Sequence, residues 1–141
     1  MNTNTASVQI NELDTVLVKI LADYNDDVCR AVDICARKSM QELVEKTKRD
    51  APYNSHSSKK HYRELISSRR EKLGTYRTAY TWYVKAPKYR LAHLLNNGHV
   101  VRNGGRIVGR YNGDQHITKN ADFVIANYKR QVKEAVGNAG H

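Results

Sequence analysis

Between Leu13 and Val44 the apolar residues recur at helical spacing, and no other feature limits the fold so strongly. Leu13, Val16, Leu17, Ile20, Leu21 and Tyr24 fall at i, i+3, i+4, i+7, i+8 and i+11, while Glu12, Asp14, Lys19 and Asp23 occupy other positions around the turn. This stripe is expected to be a core face. The group Asn25-Asp26-Asp27 can cap a second helix or mark a bend in one long helix, and a bend is the expectation. The pattern resumes through Val28, Val32, Cys35, Met40, Leu43 and Val44. It ends in Lys46, Lys48 and Arg49, cations suited to the negative end of the helix dipole, before Pro52 closes it.

Downstream the period changes. Residues 51–60, "APYNSHSSKK", read as a polar, flexible loop containing His56, with His61 beside it. From Tyr76 to Ala86, Tyr76, Thr78, Tyr80, Trp82 and Val84 share one face of a strand, with Arg77, Thr81, Tyr83 and Lys85 on the other. Leu65 to Leu73 reads as its antiparallel partner, turning at Gly74-Thr75, with a helix as the alternative. Residues 89–97 place Leu91, Leu94 and Leu95 at helical spacing, closed by Gly98. Val100 to Tyr111 then reads as strand, Asn103-Gly104-Gly105 turn and strand. A final helix, capped by Thr118 or Asn120, carries Ala121, Val124, Ile125, Tyr128, Val132 and Val136 on one face. It ends at Gly137, ahead of a frayed 137–141 tail. The expectation is a single α+β domain over 1–141: a long N-terminal helix, a small, mainly antiparallel sheet, a short middle helix and a C-terminal helix.

The charge is unevenly spread. Residues 1–58 carry a net −2, residues 59–110 a net +11 and residues 111–141 a net +1, so nearly all of the +10 excess lies in the middle third. A localised basic surface facing nucleic acid or an acidic protein follows. No apolar run approaches the roughly 20 residues of a membrane span, and the polar Met1-Asn2-Thr3-Asn4-Thr5 start does not read as a secretory signal, so a cytoplasmic protein is expected. Cys29 and Cys35 are six apart on one helix and are not expected to bridge.

Catalytic chemistry finds few candidates. His93, His99 and His116 could bind zinc, or act as an acid–base pair on RNA with Arg102, Arg106 and Arg110 steadying phosphate. Against this, His93 at helical spacing among leucines reads as a partly buried histidine bonded to backbone. His99 after Gly98 reads as pinning a turn, and His116 as a boundary residue. "NGGRIVGR" lacks the ending of a nucleotide loop, no Gly-x-Ser-x-Gly occurs, and residues 72–113 contain no acid to orient a histidine. The residues therefore predict a non-enzyme without cofactor or metal. Nucleic-acid binding is the stronger alternative, because Arg63, Arg69, Arg70, Lys72, Arg77, Lys85, Lys88 and Arg90 interleave with Tyr62, Tyr76, Tyr80, Trp82, Tyr83 and Tyr89.

One stretch carries a resemblance. Tyr89, Leu91-Ala92-His93-Leu94-Leu95-Asn96, Asn97, Gly98-His99, Arg102-Asn103-Gly104-Gly105-Arg106 and His116-Ile117 resemble a motif of small bacteriophage tail-component proteins that join heads to tails in long-tailed, double-stranded-DNA phages. The likeness is sharp over residues 89–117 and generic elsewhere. Asn96 departs from it, standing where a glutamate is usual, so any ion pair made by that glutamate is not carried over.

The resemblance implies a structural protein of the virion neck, a tail-completion or tail-terminator component made in the host cytoplasm. It implies a homo-oligomeric ring, sixfold or twelvefold, that docks between a head-completion or adaptor ring and the tail-tube proteins, with genomic DNA passing through the channel and no membrane involved. In such a ring the acidic first helices and the basic middle third form a complementary pair. Asp23, Asp26, Asp27 and Asp33 are thus expected to face Arg69, Arg70, Arg77, Lys85, Arg102, Arg106 and Arg110 of a neighbour or of the ring below, or the arginines line the channel.

Overall fold

In a computed structural model of the chain, residues 13–52 and 61–139 are described. Helix α1 (Leu13–Asp50) runs unbroken for 38 residues, about 57 Å at 1.5 Å per residue. Asn25-Asp26-Asp27 lies inside it and starts no second helix. A short 3-10 helix (Tyr62–Leu65) leads into strand β1 (Ile66–Gly74), which pairs antiparallel with β2 (Arg77–Val84). Helix α2 (Leu91–Asn97), the hairpin β3 (His99–Asn103) and β4 (Arg106–Tyr111), and helix α3 (His116–Asn138) complete the chain. The α+β class and the element order are those the periodicity predicts.

The strands do not merge into one sheet. They form two separate two-stranded sheets, β1-β2 and β3-β4, each with its own register and one irregularity. A two-stranded ribbon is marginal alone and needs packing on one face. β1-β2 finds it on α1: the Trp82 indole donates to Thr47 Oγ1 at 2.9 Å, and the Tyr80 hydroxyl donates to Asp33 Oδ1 at 2.9 Å. The predicted inner face of β2 is therefore correct from Thr78 to Val84, while Tyr76 lies exposed beyond its end.

Helix α3 lies antiparallel along the second half of α1. Asn120 meets Lys46 and Asp50, the Lys46 ammonium sits 4.6 Å from the centre of the Phe123 ring, and Val124, Ile125 and Tyr128 share a cleft with Ala36, Ser39, Met40 and Leu43. Where α1, the 3-10 helix and β1-β2 converge, Ala51, Tyr62, Leu65, Ile66 and Val84 make the core, with Val44, Trp82, Ala92 and Leu95 packed against them. Thr47 is fully buried there. Its hydroxyl donates to Leu43 O at 2.7 Å while accepting from Trp82, so the polar atom is satisfied.

The first half of α1 differs from its expectation. Every residue from 15 to 26 is exposed, and burial begins only at Asp27. Val16 is 36%, Leu17 47%, Ile20 57%, Leu21 65% and Tyr24 46% exposed. The stripe read as a core face is covered by nothing in its own chain among the described residues. Its residues are centred roughly a third of a turn away from the Val32, Ala36, Ser39, Leu43 and Thr47 side that meets the rest of the molecule.

Two boundaries also move. α3 begins at His116, ahead of Thr118 and Asn120, and it continues through Gly137 to Asn138. Of the expected 51–60 loop, Ala51 is buried and Pro52 half-buried; residues 53–60, His56 among them, and the end of the tail lie outside the described residues.

Candidate functional site

Of the residues that carry the resemblance, Leu94, Leu95, Asn96, Gly98, His99, His116 and Ile117 come together at one corner, where α2 hands the chain to the β3-β4 hairpin and receives it back as α3. Gly98 ends α2, its N–H donating to Leu94 O at 2.8 Å. On the return, Asp114 N–H donates to Leu95 O and Gln115 N–H to Asn96 O, each at 3.1 Å. The two passes are so close that neither admits a side chain. A Cβ on Gly98, at φ 91°, would lie 2.5 Å from Tyr111 O, and one on Gly113, at φ 77°, would lie 2.6 Å from Asn96 O and Gly98 N. Both positions need glycine twice over, for conformation and for room. Gly113 escaped the sequence reading, although the Asn112-Gly113 dipeptide is a turn signal.

Asn96 is the hub of this corner. It is 5% exposed, and its Oδ1 accepts from the N–H groups of Ile117 at 2.8 Å and Thr118 at 3.0 Å. Its Nδ2 donates to Thr118 Oγ1 and Asn97 Oδ1, both at 2.8 Å. The side chain of one helix thus caps the next, doing for α3 what Thr118 or Asn120 was expected to do locally. The departure from the resemblance at Asn96 is a neutral cap.

Beneath the cap lies a polar row, buried at His116 and Tyr62 and half-buried at Asp114. His116 is fully buried; its Nδ1 stands 2.6 Å from Asp114 Oδ1 and its Nε2 3.0 Å from the Tyr62 hydroxyl. The carboxylate accepts from Nδ1–H, which leaves Nε2 to accept the Tyr62 O–H in the neutral ring. Asp114 also accepts from His116 N–H at 3.0 Å and from the Tyr111 hydroxyl at 3.3 Å. Burial, with the nearby Asp114 charge second, pushes the Tyr62 phenol up to about 12, so it stays a donor. His116 is a boundary residue, as expected, being the first residue of α3, and it is also the bolt that ties the 3-10 helix to that helix. Asp114 was missed because it stands just past the acid-free 72–113 stretch.

Asn120, one turn on, donates to His116 O at 2.7 Å and Asp50 Oδ2 at 2.9 Å. Asp50 also pairs with Arg49 at 2.9 Å, and Arg49 first and Asn120 second hold its carboxyl well below the usual carboxylate range. The end of α1 and the start of α3 are joined through these groups.

Carboxylate, imidazole and phenol in line have the order of a proton relay, but the imidazole has no exposed surface and Tyr62 is only 5% exposed. Here the row braces the corner. His99 braces it too, with Nδ1 3.5 Å from Leu94 O and its ring 5.6 Å from that of Tyr111, as the turn-pinning reading expects. His93 differs from its expectation: it is exposed on α2. Among the described residues no group of three or more His, Cys, Asp or Glu is placed to hold a metal ion.

Of the other motif residues, Leu94 and Leu95 are half-buried and Tyr89 and Leu91 exposed. Gly104 and Gly105, at φ 59° and 82°, form the hairpin turn that the Asn-Gly-Gly sequence predicts, with Arg102 Nη1 donating to Gly105 O at 3.3 Å. Every residue from 100 to 110 is exposed, including Arg102, Arg106 and Arg110.

The remaining basic candidates sit on β1-β2. Arg77 and Lys85 are exposed, and the Arg69 guanidinium lies 5.7 Å from the centre of the Tyr83 ring. Arg70 donates to Tyr80 OH at 3.2 Å and lies 3.8 Å from Asp33. Asp33 was expected to meet a neighbour's basic strand and instead meets its own. Asp23 pairs with Lys19 at 3.1 Å and Asp27 with Arg30 at 3.7 Å, while Asp26 is exposed. No helix among the described residues is long and apolar enough to cross a membrane. No known protein family, curated protein or solved structure matches the chain.

Proposed function

We propose that this chain is a structural subunit of a phage neck, a tail-completion or tail-terminator protein that assembles into a ring between the DNA-filled head and the tail. The observation that carries the proposal is the corner itself. Of the residues that carry the resemblance, Gly98, His99, His116 and Ile117 lie in the locked junction, and Arg102, Gly104, Gly105 and Arg106 in the exposed, basic hairpin that it holds out. A motif spent on architecture suits a protein whose work is contact with other proteins. The exposed apolar surface of α1 fits the same reading, since a chain that leaves such a stripe open is built to be covered. Imaging particles assembled without the protein tests it: separate full heads and finished tails are expected, and normal virions would overturn it.

A second reading, a basic nucleic-acid-binding module, draws on the exposed Arg102, Arg106 and Arg110 together with Arg69 over Tyr83. It requires sequence-independent binding that weakens steeply with salt, and replacing the three hairpin arginines by alanine would flatten the salt slope by roughly two to three.

A further inference from the structure

Two projections leave the body of the molecule. One is the stalk of α1, residues 15–26, a helix of about three turns with Val16, Leu17, Ile20, Leu21 and Tyr24 on one side and no covering layer among the described residues. A helical segment this short is not stable in water by itself, and its apolar side holds no advantage until it is buried. The other is the β3-β4 hairpin, exposed from 100 to 110, where Val100 is 36%, Val101 43%, Ile107 57% and Val108 59% exposed.

Their charges are opposite. Residues 15–26 hold Asp23 and Asp26 against Lys19, while residues 99–111 hold Arg102, Arg106 and Arg110 and no acid. Two stalks laid side by side would bring like charges together, and so would two hairpins; a stalk against a hairpin joins opposite charges around apolar centres.

The two cannot meet within one chain. The base of the hairpin adjoins the start of α3, which is fastened to Lys46 and Asp50 at the far end of α1. Leu21 lies about 37 Å along the helix from Lys46, and strands of five and six residues reach only about 20 Å.

We infer that the β3-β4 hairpin of one copy packs on the α1 stalk of the next, in a head-to-tail contact between identical chains. Such a contact uses two different patches and leaves one of each open at every step, so it propagates until rotation closes a ring. The inference rests on the ring reading for its setting. Particles assembled without the protein test that reading separately, and a wild-type ring that ignores the changes below would remove the contact and leave the ring.

The experiment uses the full chain and measures mass in solution. The stalk variant carries Leu17→Lys with Leu21→Lys; the hairpin variant carries Ile107→Glu with Val108→Glu. All four positions are exposed, so helical circular dichroism should be kept, and single Leu21→Gln and Val108→Gln changes replace the pairs if it is not. Wild type is expected at a multiple of 16.1 kDa and each variant at 16.1 kDa alone. Mixed in equal amounts, the variants should form pairs and stop there, because only the intact hairpin of one and the intact stalk of the other remain. Any of three results would overturn the contact: a variant that keeps the wild-type mass, a mixture that does not pair, or a wild type that stays a single chain.

Discussion

At the scale of residues, the corner concentrates its stability in a few polar side chains whose partners can be removed one at a time. Asn96→Ala strips the acceptor from two partly buried N–H groups of α3 and is expected to cost about 0.5–2 kcal/mol in urea unfolding. Asn96→Asp keeps the acceptor and places a negative charge at the positive end of the helix, so it should retain most of that stability. Equal losses in the two variants would show that Asn96 does not act as a cap. Tyr62 gives a pH signature. Its folded pKa of about 12 lies above the unfolded value of about 10, so its contribution is complete below pH 10 and is lost as pH rises toward 12. The rise from about 10 to about 12 corresponds to roughly 2–3 kcal/mol. Unfolding free energies measured from pH 9 to 12 should show that fall in the wild type and a shallower one in Tyr62→Phe.

At the scale of elements, what was legible in the sequence was whatever a segment decides for itself. The alternation in Thr78, Tyr80, Trp82 and Val84, the Asn103-Gly104-Gly105 turn and the Gly98 stop are local, and each element lies close to where its pattern put it. The failures are non-local. The start of α3 was misplaced because its cap comes from Asn96, twenty residues back, and two hairpins were merged into one sheet because nothing in a strand names its neighbour. The stripe from Val16 to Tyr24 was assigned to a core because periodicity says that a face will be covered without saying by which chain. Hydrogen exchange offers a direct measure of that cover. Amides of residues 15–26 should exchange rapidly in the monomeric stalk variant and slowly in wild-type assemblies, with the α1–α3 region protected in both.

At the scale of the whole molecule, the charge division of the sequence survives folding in altered form. Asp33 and Arg70 cancel one another across α1 and β1, so the acidic and basic halves are in part complementary within a single chain. Asp26 and the hairpin arginines remain open to solvent. Charge reversal by Asp26→Arg should therefore weaken self-association and reduce its dependence on salt, which sedimentation at two ionic strengths would measure. Unchanged assembly would assign the contact to its apolar residues alone.

Gly98 and Gly113 stand with their backbones touching, and everything between them leaves and re-enters the fold through one doorway. The frame on either side is fastened by Asn96 and His116. Among the described residues their side-chain hydrogen bonds all go outside the excursion, and only His99 and Tyr111 at its base reach back to that frame. The segment is thus a cassette. Chain length added at its Gly104-Gly105 tip costs little loop-closure entropy, so the same frame can present longer, shorter or differently charged fingers to new partners without being rebuilt.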